Sequence, residues 1–132
     1  MADSTEIAPR RSRIPAPLRA MRPKQWVKNV LVFAAAVAAG YVLRPQVLVS
    51  SLLAFVAFCA ISASVYLVND VRDVESDRQH PTKRRRPIAA GELSPTTALV
   101  MAGVLLVIAL AIAFSTATLL GVVVAFYWVL QL

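Results

Sequence analysis

The chain has 132 residues, 58% of them hydrophobic, and its 14 lysines and arginines outnumber 7 acids to give a net charge of +7. Uncharged residues run unbroken through 29–43, 45–69 and 93–132. Such blocks exclude an ordinary soluble domain and predict membrane helices. The positive charge is not a sign of nucleic acid binding, because membrane proteins collect basic residues on one face.

In chain order, residues 1–17 mix Pro, Arg, Ser and Ala without periodicity, which predicts a disordered basic arm. Residues 18–132 are expected to form a transmembrane domain of the all-α class, a polytopic helical bundle. A membrane span needs roughly 20 apolar residues, so about four spans fit this length. They are predicted at about 25–43, 47–69, 95–114 and 117–132, with a polar loop at 70–94.

The basic residues predict the orientation. Seven of the 14 lie within 10–28 and six within 72–86, whereas Arg44 alone separates the first two spans. By the positive-inside rule, the N-terminus and the 70–94 loop are cytoplasmic and Arg44 is outside. We therefore expect a multi-pass plasma-membrane protein.

A cluster of carboxylates follows the second span. The segment from Tyr66 to Asp77 holds four of the seven acids. On a helix, Asp70, Asp73 and Asp77 share one face with Tyr66. Three carboxylates a turn apart repel one another unless a cation lies among them, and all-oxygen ligands favour Mg²⁺. The alternative is that these acids only solvate the end of a membrane helix.

Two basic segments accompany the carboxylates. Lys83-Arg-Arg-Arg86 is of a kind that commonly marks topology or binds lipid, but beside a metal site such groups suit a diphosphate. In the segment 22–29, Lys24, Lys28 and Asn29 recur along one helical flank. From the first span these groups are expected to reach the same cytoplasmic site.

The last apolar block is too long for one helix. Ser94 before Pro95 predicts the start of a helix, with Ser94 as the N-cap. A break is expected within 114–118, where a hydroxyl can cap a new helix near Thr116 or Thr118.

Together, the segments 24–29, 66–77 and 80–91 resemble the UbiA superfamily of membrane transferases, over about residues 21–132. In that family the motif Asn69-Asp70-x-x-Asp73-x-x-x-Asp77 binds Mg²⁺ and a diphosphate at the cytoplasmic mouth of a helical bundle. The sequences of these segments are most similar to those of the actinobacterial branch of the family that acts on decaprenyl phosphate.

The resemblance implies transfer of a 5-phosphoribosyl group from phosphoribosyl diphosphate to a polyprenyl phosphate, for cell-wall arabinan precursors. The implied catalytic residues are Asp70, Asp73 and Asp77, which together with Asn69 would hold the metal. The implied substrate-binding residues are Lys24, Lys28, Tyr66, Asn69, Lys83 and Arg86.

Other functions remain open. The same first motif would serve a family member that moves a polyprenyl group from its diphosphate to an aromatic acceptor. A CDP-alcohol phosphotransferase is disfavoured, because its motif needs Gly where Val74 follows Asp73. Family members form a larger bundle of about nine helices with a second acidic motif. We therefore expect an N-terminal fragment of such a protein, or else an inactive truncated membrane protein. In either case, its small residues are expected to pack against other helices or against a second copy of the chain.

Overall fold

The structure is a computed structural model that describes residues 12–132, so most of the predicted arm lies outside the described residues. Within residues 12–132 all regular elements are helical and no strand occurs. The arm's last two residues, 16 and 17, already belong to the first helix. The helices are α1 Ala16–Ala20, α2 Val32–Ala38, α3 Pro45–Arg72, α4 Val74–Gln79, α5 Pro95–Thr116 and α6 Thr118–Gln131, with 3₁₀ segments at Pro23–Leu31 and Lys83–Arg85.

Two helices, α3 and α5, are long and apolar enough to cross a membrane. The all-helical fold is thereby confirmed for the described residues, and the expected spans 47–69 and 95–114 fall within these two helices. The other two spans are not confirmed. Residues 25–43 form part of a 3₁₀ segment, the short α2 and a turn, and α6 has only 14 residues. The count of about four spans stays a prediction.

Helices α3 and α5 pack closely because small side chains line their contact. Every buried residue of α5 is an alanine, at spacings of four, seven and four that place them on one face: Ala98, Ala102, Ala109 and Ala113. Two of them cluster with Ala57 and Ile61 of α3. Small residues let helix backbones approach closely, which is how helices associate in lipid.

One buried hydroxyl links the three longest helices. Ser64 of α3 donates to the Ala102 carbonyl of α5 at 2.8 Å and accepts from the Trp128 indole N–H of α6 at 3.1 Å. Ser64 itself is fully buried. Because apolar surroundings offer no other partner, these bonds favour this one arrangement of the helices.

Replacing Ser64 with Ala is expected to destabilise the bundle by about 0.6–1.7 kcal/mol, the range measured for such bonds in membrane helices. The Trp128 N–H would lose its acceptor. Thermal unfolding in detergent, followed by circular dichroism, measures the loss. Ser50→Ala is the matched control, since Ser50 is exposed on the same helix. Equal effects of the two substitutions would contradict the proposed role of Ser64.

The start of α5 agrees with the prediction from sequence, whereas the start of α6 agrees only in part. Ser94 caps α5 as expected, accepting from the Thr97 backbone N–H at 3.1 Å. The break falls at extended Ala117, within the predicted stretch, but no side chain caps α6. The Ser115 and Thr116 hydroxyls instead both donate to the Ile112 carbonyl, at 2.8 Å, because it lies within their reach one turn back.

Candidate functional site

The carboxylate cluster lies at the junction of α3 and α4. Helix α3 ends at Arg72, Asp73 adopts φ −94° and ψ 7°, and α4 begins at Val74. The sequence pattern assumed that the three aspartates lie on one continuous helix. The structure shows that they do not. Asp70 and Asp77 are buried, with exposed fractions of 3% and 2%, whereas Asp73 is exposed. The structure brings together two of the three predicted carboxylates.

A single guanidinium nitrogen joins the two buried carboxylates. Nη1 of Arg86 donates to Asp70 Oδ1 at 3.2 Å and to Asp77 Oδ2 at 3.0 Å. Arg86 was expected to contact phosphate, and in this structure it binds the carboxylates. Two carboxylate oxygens from α3 and α4 therefore lie within hydrogen-bonding distance of one cationic group.

Asp70 has a second cationic partner in Arg22. Nη2 of Arg22 lies 2.6 Å from Asp70 Oδ1, and the guanidinium carbon lies 4.5 Å from the centre of the Tyr66 ring. Arg22 has φ of 53°, a strained backbone conformation for a residue other than glycine. The sequence pattern did not identify Arg22 as a site residue. Its role could have been inferred only from the general rule that a buried carboxylate needs a positively charged partner.

The two carboxylates and two guanidinium groups balance in charge. Unpaired buried ions cost several kcal/mol each, so this pairing is what makes the burial of Asp70 and Asp77 tolerable. Both arginine side chains keep partial access to solvent, with 26% of Arg22 and 28% of Arg86 exposed. The cationic side of the site therefore remains within reach of a soluble anion.

Packing of the polar loop holds Arg86 in place. Ile88, two residues further on, is 1% exposed and packs with Leu67 of α3 and Ala98 of α5. Arg78 Nε donates to the Ala89 carbonyl at 3.2 Å. Gly91, at φ of 79°, lets the chain turn so that the backbone N–H of Glu92 returns to the Pro87 carbonyl at 2.9 Å.

The segment that carries Arg22 is anchored to the same loop. Arg19 Nη1 and Glu92 Oε2 are 2.7 Å apart, and Ala20 is buried in the cluster that contains Ile88. The indole N–H of Trp26 donates to the Met21 carbonyl at 3.1 Å. Three separate stretches of chain therefore meet around Asp70: the end of α3, the loop and the segment after α1.

The other predicted site residues lie around this centre. Lys24, Lys28 and Lys83 are exposed, and no ion pair formed within residues 12–132 involves them. Tyr66 lies against Arg22 as described, and the Asn69 amide donates to the Gln131 carbonyl at 3.4 Å. Among the described residues, none of the three lysines forms an ion pair with either carboxylate.

The donor set can be compared with what a divalent cation needs. Within the part of the chain that the structure describes, no three Asp, Glu, His or Cys side chains cluster as metal ligands. Mg²⁺, however, is commonly held by one or two carboxylates and completed by water and substrate phosphates. Asp70 and Asp77 fit that requirement, since their oxygens already converge on one positively charged atom.

Known proteins resemble this chain along most of its length. The decaprenyl-phosphate phosphoribosyltransferase of Corynebacterium glutamicum is 43% identical over 134 residues, covering 98% of this chain and 40% of that protein. The proteins of the same name from Mycolicibacterium smegmatis and Mycobacterium tuberculosis are 46% and 45% identical, over 87% and 100% of this chain and 37% and 45% of their own length. The chain thus spans less than half the length of these relatives.

The family match covers both membrane-length helices and the whole candidate site except Arg22, Lys24 and Lys28. Residues 29–132 match the UbiA prenyltransferase family. This stretch contains the aspartate motif, the basic loop and the buried hydroxyl of Ser64. The chain belongs to the UbiA prenyltransferase family.

Proposed function

We propose that the protein to which this chain belongs transfers a 5-phosphoribosyl group from phosphoribosyl diphosphate to a membrane-held polyprenyl phosphate, with Mg²⁺. The product would serve cell-wall arabinan synthesis. The observation that carries the proposal is the pair of buried carboxylates, Asp70 and Asp77, converging on one cationic atom beside a solvent-accessible basic loop. The names of the similar proteins support the choice of substrates.

In this proposal the acidic residues hold the cation and the basic residues hold the phosphates. Asp70 and Asp77 would be the direct ligands of the metal, with Asp73 and Asn69 assisting them. Lys24, Lys28, Lys83 and Arg86 contact phosphate oxygens, with Tyr66 keeping Arg22 on Asp70. When bound, Mg²⁺ neutralises charge that develops on the departing diphosphate.

The transfer itself requires little acid–base catalysis by the protein. The bond between the sugar C1 and the diphosphate oxygen breaks, a bond between C1 and an oxygen of the lipid phosphate forms, and inorganic diphosphate leaves. The lipid phosphate is already ionised near neutral pH, so no strong general base is required. What the side chains supply is position and charge, which suits a site made of carboxylates, guanidinium groups and ammonium groups.

The proposed setting is the cytoplasmic face of the plasma membrane. The ends of α3 and α5 that flank the basic loop pack together, and the segment 72–86 carries six of the chain's 14 basic residues. The positive-inside rule places such a loop in the cytoplasm, where phosphorylated sugars are available. The polyprenyl tail would then lie along the exposed apolar faces of the helices.

A second candidate function uses the same carboxylates. The family match is to prenyltransferases, in which a polyprenyl diphosphate would take the place of phosphoribosyl diphosphate. An aromatic acceptor such as 4-hydroxybenzoate would then receive the polyprenyl group. Both reactions need a diphosphate at Asp70 and Asp77, so a direct assay has to separate them.

The test is a radiolabel transfer assay on membranes that contain the protein as its gene encodes it, including any sequence beyond Leu132. Label from phosphoribosyl diphosphate is expected to enter the lipid extract when polyprenyl phosphate and Mg²⁺ are supplied, and chelation should stop the transfer. Asp73→Asn is expected to lower the rate by about 10²-fold, by analogy with the loss of one group that stabilises developing charge.

Several results would contradict the proposal. Polyprenyl transfer to 4-hydroxybenzoate, without phosphoribosyl transfer, would favour the second candidate. Neither activity, from a protein shown to be folded, would support an inactive membrane protein. Unchanged Mg²⁺-dependent turnover in Asp73→Asn would remove Asp73 from the metal site.

A further inference from the structure

We propose that Arg86 is an internal counter-cation that competes with a divalent cation for Asp70 and Asp77. Its guanidinium is then transferred to the diphosphate when metal and donor bind. This inference rests on the proposed function and concerns how that same site is controlled. It makes the binding of the metal and of the diphosphate mutually dependent.

The position of Arg86 supports direct competition with a cation. Its Nη1 contacts one oxygen of each carboxylate, at 3.2 and 3.0 Å, so a cation held by both carboxylates would compete with it. Two positive charges cannot share that position, because like charges in a partly buried site repel strongly. Arg86 must therefore release the carboxylates before a metal ion is held by both.

Arg86 is also the partner that is able to leave. Its backbone is fixed by the buried Ile88 and by its own N–H, which donates to the Lys83 carbonyl at 3.0 Å. Its long side chain, 28% exposed, can turn towards solvent while the loop stays in place. Arg22 also contacts Asp70, at 2.6 Å, and lies against the Tyr66 ring, so Asp70 keeps a cationic partner when Arg86 moves away.

The released guanidinium has an obvious new partner. A metal held by the carboxylates positions a diphosphate directly beside them, and guanidinium groups bind phosphate oxygens through paired hydrogen bonds. Each ligand then favours the state that the other requires, which is positive coupling, and such coupling is typically about 5- to 150-fold in affinity.

The first experiment measures Mn²⁺ binding to the purified full-length protein by electron paramagnetic resonance, without any donor. Arg86→Gln is expected to bind Mn²⁺ at least about 5-fold more tightly than the unsubstituted protein. Arg84→Gln is the matched control, because it removes the same charge from the same loop at an exposed position. Equal tightening in both variants, or none in Arg86→Gln, would overturn the proposal.

The second experiment needs no substitution and so remains decisive if Arg86→Gln does not fold. Phenylglyoxal modification of arginine is followed residue by residue with mass spectrometry. Saturating Mg²⁺ should increase modification of Arg86 and leave Arg84 unchanged. Inorganic diphosphate added with Mg²⁺ should protect Arg86 again. Arg86 that is indifferent to Mg²⁺ would overturn the proposal, whatever the outcome of the transfer assay.

Discussion

Replacing Asp70 with Asn is expected to lower phosphoribosyl transfer by about 10²- to 10³-fold and to destabilise the protein by about 1.5–3 kcal/mol. The amide is the same size as the carboxylate but carries no charge. Arg22 and Arg86, which both contact Asp70 Oδ1, would lose their shared anion. In the proposed site, the same substitution would also remove one of the two buried carboxylates that hold Mg²⁺.

Two measurements separate these effects. Initial rates in the radiolabel assay report on transfer, and thermal unfolding in detergent reports on stability. Glu75→Gln is the matched control, because Glu75 is 80% exposed and pairs only with Arg78 among the described residues. Exposed pairs contribute little, so that variant should stay within about 0.5 kcal/mol and keep its activity. A folded Asp70→Asn protein with full activity would exclude Asp70 from the site.

The carboxylates of this site were predictable because their signal is local. Asp70 and Asp77 are only seven residues apart, so they stay close in space even across the break between α3 and α4. The kink at Asp73 was not predictable from helical periodicity, which assumes an unbroken helix. Whether Asp73 turns towards a bound metal stays a prediction.

The arginine partners of Asp70 were harder to predict because their signal is not local. Arg22 is 48 residues from Asp70 in sequence, and Arg86 is 16 residues away. Basic runs beside membrane helices are common, so nothing in 83–86 distinguishes the one arginine that turns inward from three exposed neighbours. Only the folded loop decides which guanidinium reaches the carboxylates.

The loop itself shows where composition misleads. Pro81, Pro87 and Gly91 are typical of an irregular polar connection, although the predicted loop 70–94 also contains α4 and the 3₁₀ segment Lys83–Arg85. Yet Ile88, Ala89 and Leu93 are buried, as core residues are. A short apolar stretch between prolines carries no periodicity, so its packing against α3 and α5 leaves no pattern in the sequence.

Replacing Ile88 with Ala should therefore have a large effect, about 2–5 kcal/mol of lost stability, the usual cost of truncating a fully buried side chain. Ile88 is 1% exposed and lies among Leu67, Leu93 and Ala98. Because Arg86 precedes it by two residues, a loosened loop also holds the guanidinium less firmly beside the place where the diphosphate would bind. Transfer should fall through a raised KM for phosphoribosyl diphosphate, since no group that contacts the reacting atoms has changed.

Ile88→Val is the control, because it removes one methyl group from the same place and should cost about 0.5–1.5 kcal/mol. Thermal unfolding and the KM-against-kcat split are measured for both variants. If Ile88→Ala loses stability but keeps its KM, the loop is held to the carboxylates by Arg86 itself and not by the core beneath it. If stability and KM change together in both variants, in the order of volume removed, then the packing of Ile88 sets the position of the Arg86 guanidinium that binds the phosphoribosyl diphosphate.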